Sequence, residues 1–487
     1  MLVNNISFKG ALDAPLTSAL RTLDKNPVAN AVGIDLFAMV GPRTYVDTKN
    51  RNKYAGAETF FREFTGTITV CLSASWFAKG ISILADKIYQ PEHKINTKSW
   101  FTNDSINFLN NAYTQENNLK KYISNVVDSF DIKPNTNGLI DEAGWNKYKW
   151  DNKKYKDFYI KIKDKKSLKE GLEEIITDKS LSSNDKQKLI KILDLRITNF
   201  TQNDTLIFNN GREEFISANS NIIRDAIDMG RDIFSKPKAE QEILIKKMLK
   251  INKIKSIGAL ILASSLGLVN QYINRKITEK RTGTKGFVGD INYRAKVANK
   301  ESFKDNSKTF MLEKLIASLG MAAMAIGVMR IKSLKDFVKK LEFNGPVNSG
   351  NVIKTVYAST LIGRFLASQN QDELRETVTR DYLGFLNWLV LGGFMAKLTA
   401  NVLDKNRSNL FKGNTKGKGI KNWLNNISLK SHNEIAVKGK EFARKNLWKL
   451  NISHIAGLAY STIALGIMLP KLNIWVTKHK SEIKDNK

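Results

Sequence analysis

The chain has 487 residues, more than one hydrophobic core can use, since single cores stop growing at about 250 to 300 residues. Its formal charge of +31 fits anionic surroundings such as phospholipid head groups or nucleic acid, but lysine and asparagine abound throughout, so compositional bias accounts for the excess equally well. The single cysteine, Cys71, excludes an intramolecular disulfide and with it a stapled secreted domain.

In chain order, the N-terminal MLVNNISFKGALDAPLTSALRTLDKN has no unbroken apolar stretch behind a basic start, so a cleavable signal peptide is not expected. Val28 to Gly41 is a short apolar run carrying Asp35 and reads as an interfacial, re-entrant or buried helix. Phe64 to Ala85 approaches the roughly 20 helical residues that a hydrocarbon core about 30 Å thick requires, with Lys79 interrupting it and Cys71 inside it as packing.

From Gln90 to Asn252 the chain turns rich in Lys, Asn and Asp and offers no span, which predicts a water-exposed, mainly helical insertion. SLKEGLEEIITDKSL and NDKQKLIKILDLRITNF place apolar residues three and four apart and read as an antiparallel helix pair, with Ser183 or Asn184 capping the second. NIIRDAIDMGRDIF is a further helix by the same spacing. WNKYKWDNKKYKDFYIKIK alternates at its end and permits a short strand or hairpin. KPNTNGLIDEAG has the glycine of a calcium loop but places Lys133 and Gly144 where the first and last ligands belong, so it reads as a turn.

Ser256 to Asn274 has no charged residue and lies between Lys255 and Arg275, the clearest span. GTKGFVG lacks the P-loop lysine placement and reads as a basic loop. Leu315 to Met329 is a shorter apolar run, Val352 to Gly363 shorter still with Lys354, and Tyr382 to Leu403 is interrupted by Lys397. GNTKGKGIKNW is a basic, glycine-rich linker. Leu450 to Pro470, between Lys449 and Lys471, is the second clear span. Glycine, alanine and serine recur in these runs; they weaken a water-soluble helix but let helices approach closely in lipid, which argues against an all-soluble bundle. Basic residues flank both ends of nearly every run and give no asymmetry to orient the chain.

Residues 58–87 align without a gap to residues 376–405 with eight identities: Glu58 with Glu376, Thr59 with Thr377, Arg62 with Arg380, Gly66 with Gly384, Ala78 with Ala396, Lys79 with Lys397, Asp86 with Asp404 and Lys87 with Lys405. Glu63 with Asp381 is a conservative pair. Leu266, Gly267 and Asn274 recur in the spacing of Leu465, Gly466 and Asn473. Such correspondence predicts two related halves.

The expected fold class is therefore mainly α: a multi-helical integral membrane protein with two repeated helical halves and a mainly α, water-exposed insertion. The expected division is 1–89, N-terminal segment and first membrane helix region; 90–252, insertion; 253–345, central membrane helix pair; and 346–487, C-terminal helical half. Glu58 with Arg62 and Glu376 with Arg380 sit four apart on one helix face, suited to a gate, a head-group contact or an ordinary interfacial ion pair. Lys79 and Lys397 lie within apolar runs, where an ammonium must snorkel, pair or line water. The four histidines show no ligand spacing and the cysteine no base, so no catalytic, cofactor-binding or metal-ligating residues are nominated.

The expected function is non-enzymatic and cofactor-free, carrier-like or a structural scaffold, in contact with the lipid bilayer and anionic head groups. The expected location is a membrane, the cytoplasmic membrane of a bacterium. The alternative is a peripheral basic protein that binds anionic lipid or nucleic acid.

Overall fold

A computed structural model describes residues 15–25, 27–88, 102–114, 118–132, 153–209, 214–283, 307–343, 350–413, 419, 422–423, 427–436 and 438–485. The calcium-loop resemblance at 133–144 and most of the glycine-bearing loop at 283–289 and of the linker at 413–423 lie outside these residues. Among the described residues the chain is mainly helical, with two antiparallel strand pairs, Thr205–Asn209 with Glu214–Ala218 and Phe411–Gly413 with Ile427–Leu429.

Among the described residues, four helices are long and apolar enough to cross a membrane: Lys53–Ala85, Lys238–Thr282, Lys308–Met329 and Glu441–Val476. They contain both clear spans and two of the three interrupted or shorter ones; Tyr382 to Leu403 is helical but is not among the four. Protein covers only 17 to 39% of their apolar windows. Ile261, Leu315, Ile316, Leu319 and Ile463 are each more than half exposed, whereas the apolar surface left open on a soluble monomer is ordinarily a few hundred Å² at most. Their inward faces pack through small residues. A Cβ on Gly363 would lie 2.3 Å from the Leu268 carbonyl oxygen, and one on Gly466 2.3 Å from that of Ala38, so these helices touch backbone to backbone.

The aligned stretches share one layout at an interval of 318 residues. Helix Lys53–Ile68, a π-helical turn Thr69–Ser73 and helix Ala74–Ile88 are matched by helix Gln371–Leu386, a π-helical turn Asn387–Leu391 and helix Gly392–Leu403. Asn52 caps the first by accepting the Tyr54 and Ala55 amides, and Asn370 caps the second by accepting that of Glu373. The shorter echo follows suit: Gly267 packs on Thr360 and Gly466 on Pro42, positions again 318 apart.

Contacts at the helix ends fix the directions. Helices Gly41–Asn50 and Gly350–Ala367 run toward a cluster of buried charges, where Arg43 meets Glu63 and Arg364 meets Glu63 and Asp381. Lys53–Ile68 and Gln371–Leu386 start there and run away. Lys238–Thr282 and Glu441–Val476 arrive at it with their C-terminal parts, through Arg275 paired with Glu373 and Asn473 bonded to the Glu376 carbonyl at 3.2 Å. Lys308–Met329 leaves it, with Lys314 near Leu366 and Met329 near Thr355.

At their other ends a second polar layer forms: Ser256 accepts the Phe343 amide at 3.2 Å, Glu342 the Asn103 amide at 3.0 Å, and Asn451 donates to Thr17 at 2.8 Å. Between the layers the long helix runs 19 residues from Ser256 to Arg275 and the C-terminal one 22 from Asn451 to Asn473, about 29 and 33 Å at 1.5 Å per residue.

The insertion has its own core, running from Ile106 to Ile251 and including Tyr122, Leu172, Leu193, Phe200 and Ile227. The 252/253 boundary falls inside one unbroken helix, Lys238–Thr282: Leu244, Met248 and Ile251 pack in the insertion core, and Ala259 and Ala263 in the apolar core. Two sequence expectations are corrected here. The stretch read as a strand is helix over Lys153–Lys161, because Tyr155, Phe158 and Tyr159 bury one helical face; the hairpin lies instead at Thr205–Ala218. The cap of helix Ser183–Thr201 is Ser182, which accepts the Asp185 amide at 3.1 Å.

Candidate functional site

Glu58, Arg62, Glu376 and Arg380, singled out as two separate ion pairs, come together in one buried cluster at the junction of the matched stretches. Neither pair bonds within its own helix. Arg51 forks onto Glu376, its Nη2 lying 2.8 and 2.7 Å from the two carboxylate oxygens. Arg62 turns to Glu63 at 3.3 Å and to the Thr59 hydroxyl at 3.2 Å, and Arg380 to Asp381 at 3.0 Å.

The cluster is larger than that quartet. Arg364, 4% exposed, sits between Glu63 at 3.4 Å and Asp381 at 3.3 Å, the pair aligned as conservative equivalents. Arg43 reaches Glu63 at 3.2 Å and donates to the Leu465 carbonyl at 3.0 Å; Arg275 pairs with Glu373, and Asp47 accepts the Thr59 hydroxyl. Asp35 lies deeper, buried beside Glu63 and Arg43. Four polar contacts between the two sets of helices, Arg51 to Glu376, Arg364 to Glu63, Arg275 to Glu373 and Arg43 to Leu465, lie at this one end. Charges so far from water hold only because they are multiply paired; removing a single partner strands its neighbours.

Inside the cluster is a cavity of about 30 Å³, lined among others by Arg43, Arg51, Ala55, Glu58, Glu376 and Asn473. That is room for a water or two. Among the described residues no group of three or more His, Cys, Asp or Glu side chains is arranged to hold a metal ion.

Lys79 and Lys397 lie elsewhere, toward the opposite ends of their helices. Lys79 is exposed; Lys397 donates to the Trp423 carbonyl at 2.8 Å with its ammonium 4.9 Å from the Trp423 ring centre. Both sit about 24 Å along the helix from Glu63 and Asp381. Cys71 is fully buried among apolar neighbours, the packing role expected of it.

Sequence reasoning missed Arg43, Arg51, Arg364 and Glu373. Arg43 and Arg364 each stand just beyond the end of a short apolar run, Val28 to Gly41 and Val352 to Gly363, and that shared placement was the available signal. No protein-family model, curated protein or solved structure matches the chain.

Proposed function

We propose that the chain is a non-enzymatic integral membrane protein built from two related three-helix halves, and that the buried charge cluster is a gate between those halves in a carrier-like protein. One half comprises the helices over 27–50, 53–88 and 238–282, the other those over 350–367, 371–403 and 440–485, with Lys308–Met329 between them. The observation that carries the membrane reading is the common height of the apolar segments: helices from distant parts of the chain pass between the same two polar layers over about the thickness of a hydrocarbon core, with their outer faces uncovered.

The gate reading is supported by the concentration of cross-half ion pairs at one end. Parallel repeats related by an axis along the membrane normal are one way carriers are built. The small cavity favours a second reading, a scaffold in which the same cluster is a permanent clasp. Lysine and arginine at both ends of the spans would rest on anionic head groups.

Carbonate extraction of membranes tests insertion: retention in the pellet is expected, and release into the soluble fraction would refute it. Release by high salt alone would favour the peripheral alternative, which binds through its positive surface. Gate and clasp separate on substitution: Glu376→Gln opens the cavity to small thiol reagents if the cluster is a gate, and leaves it closed if it is a clasp.

A further inference from the structure

We infer that Glu58 is a proton-loading site whose protonation loosens the junction between the two halves; this rests on the gate reading above. The halves are not equivalent at this point. Glu376 is held by the fork from Arg51. At the interval of 318 residues Arg51 corresponds to Gln369, which has no charge to offer Glu58. Among the described residues Glu58 accepts no hydrogen bond and forms no ion pair, although it is 9% exposed and lines the cavity.

Its charged surroundings are Arg62 on its own helix, Arg275 on the long helix, Glu373 and Arg380 on the helix of the other half, with Glu376, Asp47, Arg43 and Arg51 across the cavity; among the described residues the C-terminal helix contributes the neutral Pro470 and Asn473. Arg62 and Arg380, one from each half, are near enough to repel. Ionised Glu58 is the charge beside both that is not already tied to a partner. When a carboxylate oxygen of Glu58 takes a proton from water, that countercharge vanishes and the repulsion between the two guanidinium groups acts against closure.

The test uses the full chain in liposomes, with Cys71→Ala removing the native thiol and Ala55→Cys placing a probe on the cavity wall. Labelling by a small water-soluble methanethiosulfonate is followed from pH 8 to pH 5, and each rate is divided by that of the same protein carrying Glu58→Gln, which cancels the titration of the probe thiol. At pH 8 the Glu58 protein should label about tenfold more slowly, the factor expected for one desolvated charge contact, and the ratio should rise to about one by pH 5. A ratio that stays constant with pH overturns the inference. Gln369→Arg supplies the missing guanidinium while keeping the carboxylate; it should slow labelling and abolish the acid response, and an unchanged acid response would also count against Glu58. If Glu376→Gln raises the rate while the ratio stays flat, the gate stands and only the Glu58 inference fails. If Glu376→Gln leaves the rate unchanged, the gate reading itself fails.

Discussion

Arg364→Met tests the charge cluster at its centre. Arg364 is 4% exposed and stands 3.4 Å from Glu63 and 3.3 Å from Asp381. At an effective dielectric near 20, each contact amounts to about 5 kcal/mol of attraction before desolvation is set against it. Methionine fills similar volume but takes away the guanidinium that bridges the two carboxylates, which keep Arg43, Arg62 and Arg380, and breaking a buried pair in this way costs about 3 to 5 kcal/mol. Unfolding in mixed micelles, titrated with increasing denaturing detergent, should therefore show Arg364→Met destabilised by that amount. Arg364→Lys keeps one positive charge between the two carboxylates, and it should recover part of the loss. An Arg364→Met variant within about 0.5 kcal/mol of the parent, the range of an ordinary surface change, would refute the reasoning. So would an Arg364→Lys variant no better than Arg364→Met, since the loss would then owe nothing to charge.

Three other outcomes follow from the same geometry. Gly363→Leu drives a side chain into the Leu268 backbone, where a Cβ alone would stand 2.3 Å from the carbonyl oxygen; it should cost more than the usual 1 to 3 kcal/mol of overpacking, measured by the same titration, whereas Gly327→Leu, whose Cβ meets nothing within 4 Å, should be tolerated. In the insertion, burial pushes the Asp225 carboxyl up to about 6 from 3.8. The folded state then holds the proton more tightly than the unfolded one, so stability is greatest below about pH 4 and falls as pH rises through 6, by about 3 kcal/mol in all. Protection from hydrogen exchange in helix Asn219–Asp232, taken relative to the intrinsic amide rate at each pH, should fall over that window in the parent and stay flat in Asp225→Asn. Finally, Lys79→Met should leave stability unchanged, because Lys79 is exposed, while Lys397→Met loses its bond and ring contact with Trp423 and should cost about 1 kcal/mol.

What could be read from the sequence, and what could not, divides along range. Ser256 to Asn274 and Leu450 to Pro470 were legible as long apolar helices because an unbroken run with no charge is a local property of the sequence. The identities between 58–87 and 376–405 stand in fixed register in the sequence, and both stretches carry a capping asparagine, at 52 and 370, which was not used in the alignment. The partners of those charges were not legible. Spacing of four placed Glu58 with Arg62 on one face, but Arg62 turns to Glu63 and Glu376 is taken by Arg51 from 325 residues away. Only the packing of several helices decides between such partners. The error at Lys153–Lys161 was of period: alternation in YIKIK caught the eye, while Tyr155, Phe158 and Tyr159 at helical spacing were the residues that bury. The π-helical turns left no mark in the sequence that period reasoning detects.

The central claim is that the apolar helices cross a bilayer with the insertion on one side and the charge cluster toward the other. Single cysteines replacing Lys179, exposed on the insertion, and Lys280, exposed at the cluster end of the long helix, in the Cys71→Ala background and in sealed vesicles of one orientation, test it directly. A membrane-impermeant thiol reagent should label one of the two before detergent is added and the other only afterwards; labelling of both from the same side of an intact vesicle would contradict the account.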